Sequence, residues 1–162
     1  MLTQEQKDWL ILSLIPGIGT ARFVKLLARF HTPREVLKAS VTELSDVVGN
    51  DIAQRIVQYK DAVDIVQQER AMERFNVAFV TMEDAAYPIR LAEIYDPPLA
   101  LFIRGTLTET DDRSIAIVGT RRPTPYGIQL AERFAEELAA HGITIVSGMA
   151  SGIDTAAHRG AL

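Results

Sequence analysis

The chain has 162 residues, 48% of them apolar and 23% charged, which suffices for one ordinary core or two small ones. It has no run of eighteen apolar residues and no basic stretch leading into an apolar one at its start, so neither a membrane span nor a signal peptide is expected, and a cytoplasmic protein is. The absence of cysteine removes disulfide frameworks, thiolate metal sites and cysteine nucleophiles, and no metal or cofactor is expected. A net charge of −4 argues against coating nucleic acid through bulk electrostatics, so the distribution of charge matters more than its sum. Residues 16–38 carry Arg22, Lys25, Arg29, Arg34 and Lys38 against Glu35 alone, while acids collect at 83–112 and 132–137.

In chain order, Thr3 and Gln6 have the spacing of a capping box, and the apolar residues Trp9, Leu10, Leu12, Leu14 and Ile15 lead from it to a break at Pro16-Gly17-Ile18-Gly19. A second helix to about Phe30 is expected to turn Ala21, Val24, Leu27 and Ala28 inward. A third starts at Thr32-Pro33-Arg34-Glu35, with a cap, a proline at the first helical position and Glu35 placed to reciprocate. Gly49-Asn50 marks another turn, around which a second, degenerate helical hairpin is expected. Ile52, Ile56, Val63, Val66 and Met72 then recur at helical spacing to about Phe75.

From there the pattern changes class. Val77–Thr81, Leu99–Arg104, Ile115–Val118 and Ile143–Val146 are short branched or aromatic runs bounded by Gly, Pro or Asp, as buried strands are. Between the last two, residues 126–141 form an amphipathic helix expected to turn Ile128, Ala131, Phe134, Ala135 and Leu138 inward, which predicts a right-handed parallel crossover. The fold class is therefore α/β: an all-helical domain at 1–72, then an incomplete parallel, Rossmann-like domain at 73–162. A doubly wound sheet normally continues, so the chain is expected to lack the rest of that domain and any dimer edge it carries.

Three segments are candidates for binding. Gly17 and Gly19 permit a tight turn between helices, and the following helix start, with Arg22 and Lys25 one turn on, resembles a helix-hairpin-helix contact to duplex phosphates. The same glycines would serve a simple packing turn equally well. The second segment, IAIVGTRRPTPYG, runs from a strand through Gly119, Thr120, Arg121 and Arg122 into a helix, where strand ends and helix starts favour anions and an arginine fork fits phosphate oxygens. Its glycine spacing is not that of a dinucleotide fingerprint, and in the plain alternative Gly119 makes a turn and the arginines face solvent. The third, SGMASGID, holds Ser147, Gly148, Gly152 and Asp154. Its small residues admit close backbone approach, and Asp154 reads as a helix N-cap. His31, His141 and His158 fall at helix ends or on the last helix, with no partnered nucleophile, so no catalytic residues are expected.

The two segments IVGTRRPTPYG and SGMASGIDTAAHRGAL together resemble the DprA/Smf family of DNA-processing proteins, with DPPLALFIRG and the PGIG region following the family's layout more loosely. The resemblance implies a non-enzymatic protein of DNA uptake, natural transformation and recombination. Such a protein has a helical domain ahead of an extended Rossmann domain that binds single-stranded DNA, dimerises and interacts with the RecA recombinase. Arg121 matches the arginine of the family's Gly-Ser-Arg turn, with Thr120 replacing the serine and keeping its hydroxyl. Gly119 and Thr120 are then expected to supply backbone around a phosphate, and Ser147, Gly148, Gly152 and Asp154 match the family's Ser-Gly loop. The principal rival is a nucleotide-monophosphate phosphoribohydrolase, which shares the layout but whose Pro-Gly-Gly loop is missing from this sequence.

Overall fold

The structure, a computed structural model, describes residues 2–59 and 63–162. Five helices lead the chain: α1 (Gln4–Leu14), α2 (Thr20–Phe30), α3 (Pro33–Lys38), α4 (Val41–Val48) and α5 (Asn50–Val57). The Thr3 side chain accepts from the Gln6 N–H while the Gln6 side chain accepts from the Thr3 N–H, so the expected capping box forms. Thr32 caps α3 through the Glu35 N–H, but the Glu35 carboxylate pairs with Lys38 at 2.9 Å instead of reciprocating. α1–α2 and α4–α5 are two helical hairpins, the second turning at Gly49 with φ 82°. Of the helical stretch expected to run on from there, α6 covers Ile65–Phe75, and residues 60–62 lie outside the described residues.

The core of this unit centres on Trp9 and Phe23, whose rings lie 4.4 Å apart, surrounded by the fully buried Leu10, Leu12, Leu26, Val36, Leu44 and Ile56. α1 buries five consecutive residues, Asp8 to Leu12, because it is enclosed on most sides. α2 differs from expectation. It buries Phe23 and Leu26, with Leu27 and Phe30 partly covered, and leaves Val24 exposed. The 23, 26, 27, 30 spacing is itself a full helical stripe, and it brings the larger ring onto Trp9.

β1 (Val77–Thr81) and β2 (Ala100–Arg104) pair antiparallel, with Phe79 opposite Phe102, and the short helix α7 (Ile89–Ala92) lies in their connection. Tyr87 in the same connection donates to the Pro98 carbonyl at 2.7 Å, and burial pushes its hydroxyl pKa upward. Phe79 and Leu99 belong to the helical core. The compact units accordingly divide as Met1–Thr106 and Leu107–Leu162, later than the 72/73 boundary read from the sequence, because the hairpin packs its apolar face onto helices. The four strands therefore do not make one parallel sheet: β1–β2 is one sheet, and β3 (Ser114–Ala116) with β4 (Thr144–Val146) is another.

In the second unit β3 and β4 are parallel, with Ile115 opposite Ile145, as the strand–helix–strand order predicts. α8 (Pro125–Ala140) connects them, and α9 (Ile153–Ala161) follows β4. The two helices approach closely because small residues face each other. Ala131, Ala135, Ala156 and Ala157 are buried, and a Cβ at Gly160 would collide with the Glu132 carbonyl. Phe134, expected inward, is instead 53% exposed, since the Ala131/Ala135 stripe takes the close contact.

The α2 register yields a direct test. Phe23→Ala should lower stability by about 3–5 kcal/mol in urea unfolding, whereas Val24→Ala should change it by no more than about 0.5 kcal/mol.

Candidate nucleic-acid interface

β3 and β4 are parallel, so the loops after them leave the same end of the sheet, where α8 and α9 also begin. Residues 117–124 follow β3 and residues 147–152 follow β4. The loops are in direct backbone contact. Gly152 adopts φ 92°, ψ −128°, a conformation essentially restricted to glycine, and a Cβ there would strike the Thr120 carbonyl and lie 2.8 Å from the Arg121 Cα. The Ile153 N–H donates to the Thr120 carbonyl at 3.2 Å. Gly119 is needed for a different reason: a Cβ on it would lie 2.7 Å from the Ile153 side chain, which fills the space between the loops.

Asp154 joins these parts. It is 6% exposed, and its Oδ1 accepts from the Gly119 N–H at 3.4 Å while Oδ2 accepts from Gly148 at 3.1 Å and Ala150 at 3.4 Å. The expectation that Asp154 is an N-cap is corrected: Gly152 holds the cap position and Asp154 sits at the second residue of α9. From there its carboxylate fills the concavity made by three loop N–H groups, as a bound anion would. The Gly119 N–H, expected to face a phosphate, is directed at Asp154 in this structure, like that of Gly148. Ser147 is also internal, its hydroxyl donating to the Ile117 carbonyl at 2.6 Å, and Thr155, unremarked in the sequence, donates to the Ala150 carbonyl at 2.8 Å.

The outward face is made by other groups. Thr120, Arg121 and Arg122 are exposed. The Thr120 Oγ1 accepts from the Arg122 N–H at 3.1 Å, which shapes the turn and leaves its hydroxyl proton free to donate. Among the described residues no carboxylate lies within ion-pair distance of Arg121 or Arg122. Nor do the N–H groups of Thr120, Arg121, Ser151 and Gly152 have a protein acceptor there. Arg133, by contrast, is paired with Glu137 at 2.8 Å, and the remaining acids of the unit lie on α8 or at 109–112. No group of side chains with metal-binding composition is found among the described residues.

The helical unit treats its glycine turn differently. A Cβ at Gly17, where φ is 93°, would meet the Ile52 side chain at 2.6 Å, so the turn is packed against the second hairpin. Arg22 donates to the Gly17 carbonyl at 2.6 Å and Arg55 to the Pro16 carbonyl at 3.0 Å. Gly19 has open space around it and caps α2, and Lys25 is exposed. The four residues named for a duplex contact thus separate into Gly17 and Arg22, which hold the turn, and Gly19 and Lys25, which face outward.

Fold and site together define a two-part protein: a tandem helix-hairpin-helix unit, and an α/β unit whose strand-end loops present cationic and N–H donors that are unpaired among the described residues. Comparison with known proteins agrees with this class. The SAM-like helix-hairpin-helix tandem matches residues 10–59, and the DNA recombination-mediator protein A family matches residues 78–162. The chain belongs to that family, which includes the DprA and Smf proteins. It is 32% identical to Protein Smf of Synechocystis over its whole length and 45% identical to the DNA processing protein DprA of Bacillus subtilis over 49% of it. It spans 42% and 27% of those relatives' lengths. The crystal structure of DNA processing protein A from Streptococcus pneumoniae is similar over 95% of this chain and 53% of that one, with a TM-score of 0.69 and 27% identity. The family match begins at residue 78, so it includes the β1–β2 hairpin that packs with the helical unit. Among the described residues no helix is long and apolar enough to cross a membrane.

Two substitutions test the frame. Gly152→Ala should destabilise the second unit by about 3 kcal/mol or more through strain and collision with the Thr120 carbonyl. Asp154→Asn, which turns an NH₂ toward loop N–H groups, should cost about 2–4 kcal/mol. Hydrogen exchange should localise both losses to the amides of β3, β4 and their loops.

Proposed function

We propose that the loops 117–124 and 147–152 bind the backbone of single-stranded DNA, and that the longer proteins of this family hold the strand there for the RecA recombinase during transformation and recombination. The observation that carries the reading is the pair of exposed arginines, Arg121 and Arg122, which have no carboxylate partner among the described residues, with the N–H groups of Thr120, Ser151 and Gly152 in the same two loops likewise without an acceptor there. Arg121 supplies the planar fork for phosphate oxygens and Thr120 a hydroxyl donor, while Gly119, Ser147, Gly148, Gly152 and Asp154 hold the two loops in register. Phosphate contacts position a strand without reading its sequence, so no strong base preference is expected. A flexible single strand can bring its phosphates to two adjacent loop tips, whereas a rigid duplex is usually read by an element inserted into a groove.

The function is binding, with no reacting group required of the protein. A phosphoribohydrolase working at the same loops would release free base from AMP, and this chain should release none. A duplex contact through the helical unit has Gly19 and Lys25 in its favour, and Gly17 and Arg22 engaged in the turn against it. Homodimerisation is proposed for the longer proteins and assigned to no residue here.

Fluorescence anisotropy with a labelled single-stranded oligonucleotide tests the reading. Binding should be salt-sensitive and should favour single strands over duplex. Arg121→Ala should weaken it by about tenfold and lower the slope of log K against log salt by about one. Salt-insensitive binding, or a silent Arg121→Ala, would overturn the assignment. Duplex binding lost in Lys25→Ala with Arg121→Ala silent would move the function to the helical hairpin.

A further inference from the structure

We infer that Met149 contacts nucleobases, giving the phosphate cradle an apolar, base-facing element; this rests on the single-strand reading above. Met149 is 83% exposed and stands at φ 55°, the left-handed region that unstrained side chains avoid. Its neighbours on both sides, Gly148 and Ala150, donate their N–H groups to the same Oδ2 of Asp154. The backbone between them is thereby arched away from the carboxylate, with the thioether at the outer tip of the loop.

Among the described residues neither packing nor hydration accounts for a methionine in that position. Glycine would adopt the angle without strain, asparagine would tolerate it while suiting water, and Met149 gains no burial from the described residues. Strain of this kind persists where the surroundings over-determine it, and here the two bonds to Asp154 do so. Gly152, whose backbone touches Arg121, is three residues further on, so the Cα atoms of Met149 and Gly152 are no more than about 11 Å apart. A strand whose phosphate is held at Arg121 would carry its base toward that tip. The thioether is unbranched and polarisable, and its contacts with aromatic rings need no directional hydrogen bond, so it would accept any base.

The test compares wild type, Met149→Ala and Met149→Gly against a labelled thymidine oligonucleotide and an abasic oligonucleotide of equal length, by anisotropy across a salt series. Met149→Ala should weaken binding of the base-bearing strand by about two- to tenfold, with the salt slope and the affinity for the abasic strand unchanged. Met149→Gly, which removes the strain, should lose the same base-dependent affinity with no drop in thermal midpoint. Equal binding by wild type and either variant, or equal losses on both strands, would overturn the inference and leave the single-strand reading intact. Failure of the wild type to bind either strand would overturn both.

Discussion

The second unit of this protein is organised around one carboxylate. Asp154 leaves the first turn of α9 and accepts from N–H groups on both strand-end loops, reaching Gly119 in one and Gly148 and Ala150 in the other. A buried charge without partners would be strongly unfavourable, and three backbone donors compensate it here. The consequence is geometric: with their inner N–H groups committed to Asp154, the loops can offer an outside anion only the outer ones. Arg121, Arg122 and Thr120 are on that outer side.

The glycines acquire distinct meanings within this frame. Gly152 is required by both backbone angle and contact, since any side chain would enter the neighbouring loop. Gly119 makes room for Ile153, and Gly160 lets α9 lie against α8. Each removes a side chain where two backbones or a backbone and a core residue must approach. Gly17 performs the same service in the helical unit, admitting Ile52 to the turn, so a glycine pattern that resembles a phosphate loop is partly a packing device.

Charge is separated in the same economical manner. The chain carries net −4, yet the loop tips of the second unit carry two arginines that have no ion-pair partner among the described residues, with the acids of that unit on α8, at 109–112 or sealed inside as Asp154. The two arginines therefore make the loop tips locally basic in spite of the overall sign, and long-range repulsion between charges is screened at physiological salt.

Much of this was legible in the sequence. The capping box at Thr3, the proline start at Pro33, the strand runs and the parallel β3–α8–β4 order are local or nearly local signals, fixed by hydrogen-bonding partners a few residues apart and by side-chain period. So were the two glycine loops and their arginines, because strand-to-helix turns have a recognisable composition. What remained open depended on partners distant in the chain. Val24 and Phe23 both lie on apolar stripes of α2, and the core around Trp9 determines which is buried. Phe134 gave way to Ala131 and Ala135 because α9 is close, and β1–β2 joined the helices because Phe79 and Leu99 found a core there. Asp154 looked like a cap, since caps are local; its actual donors include Gly119, thirty-five residues away. The sequence by itself determined the elements and the chemistry available at the loops. Only tertiary structure decided which donors are consumed inside the protein and which face outward, because that allocation follows from contacts between segments that the chain order does not place together.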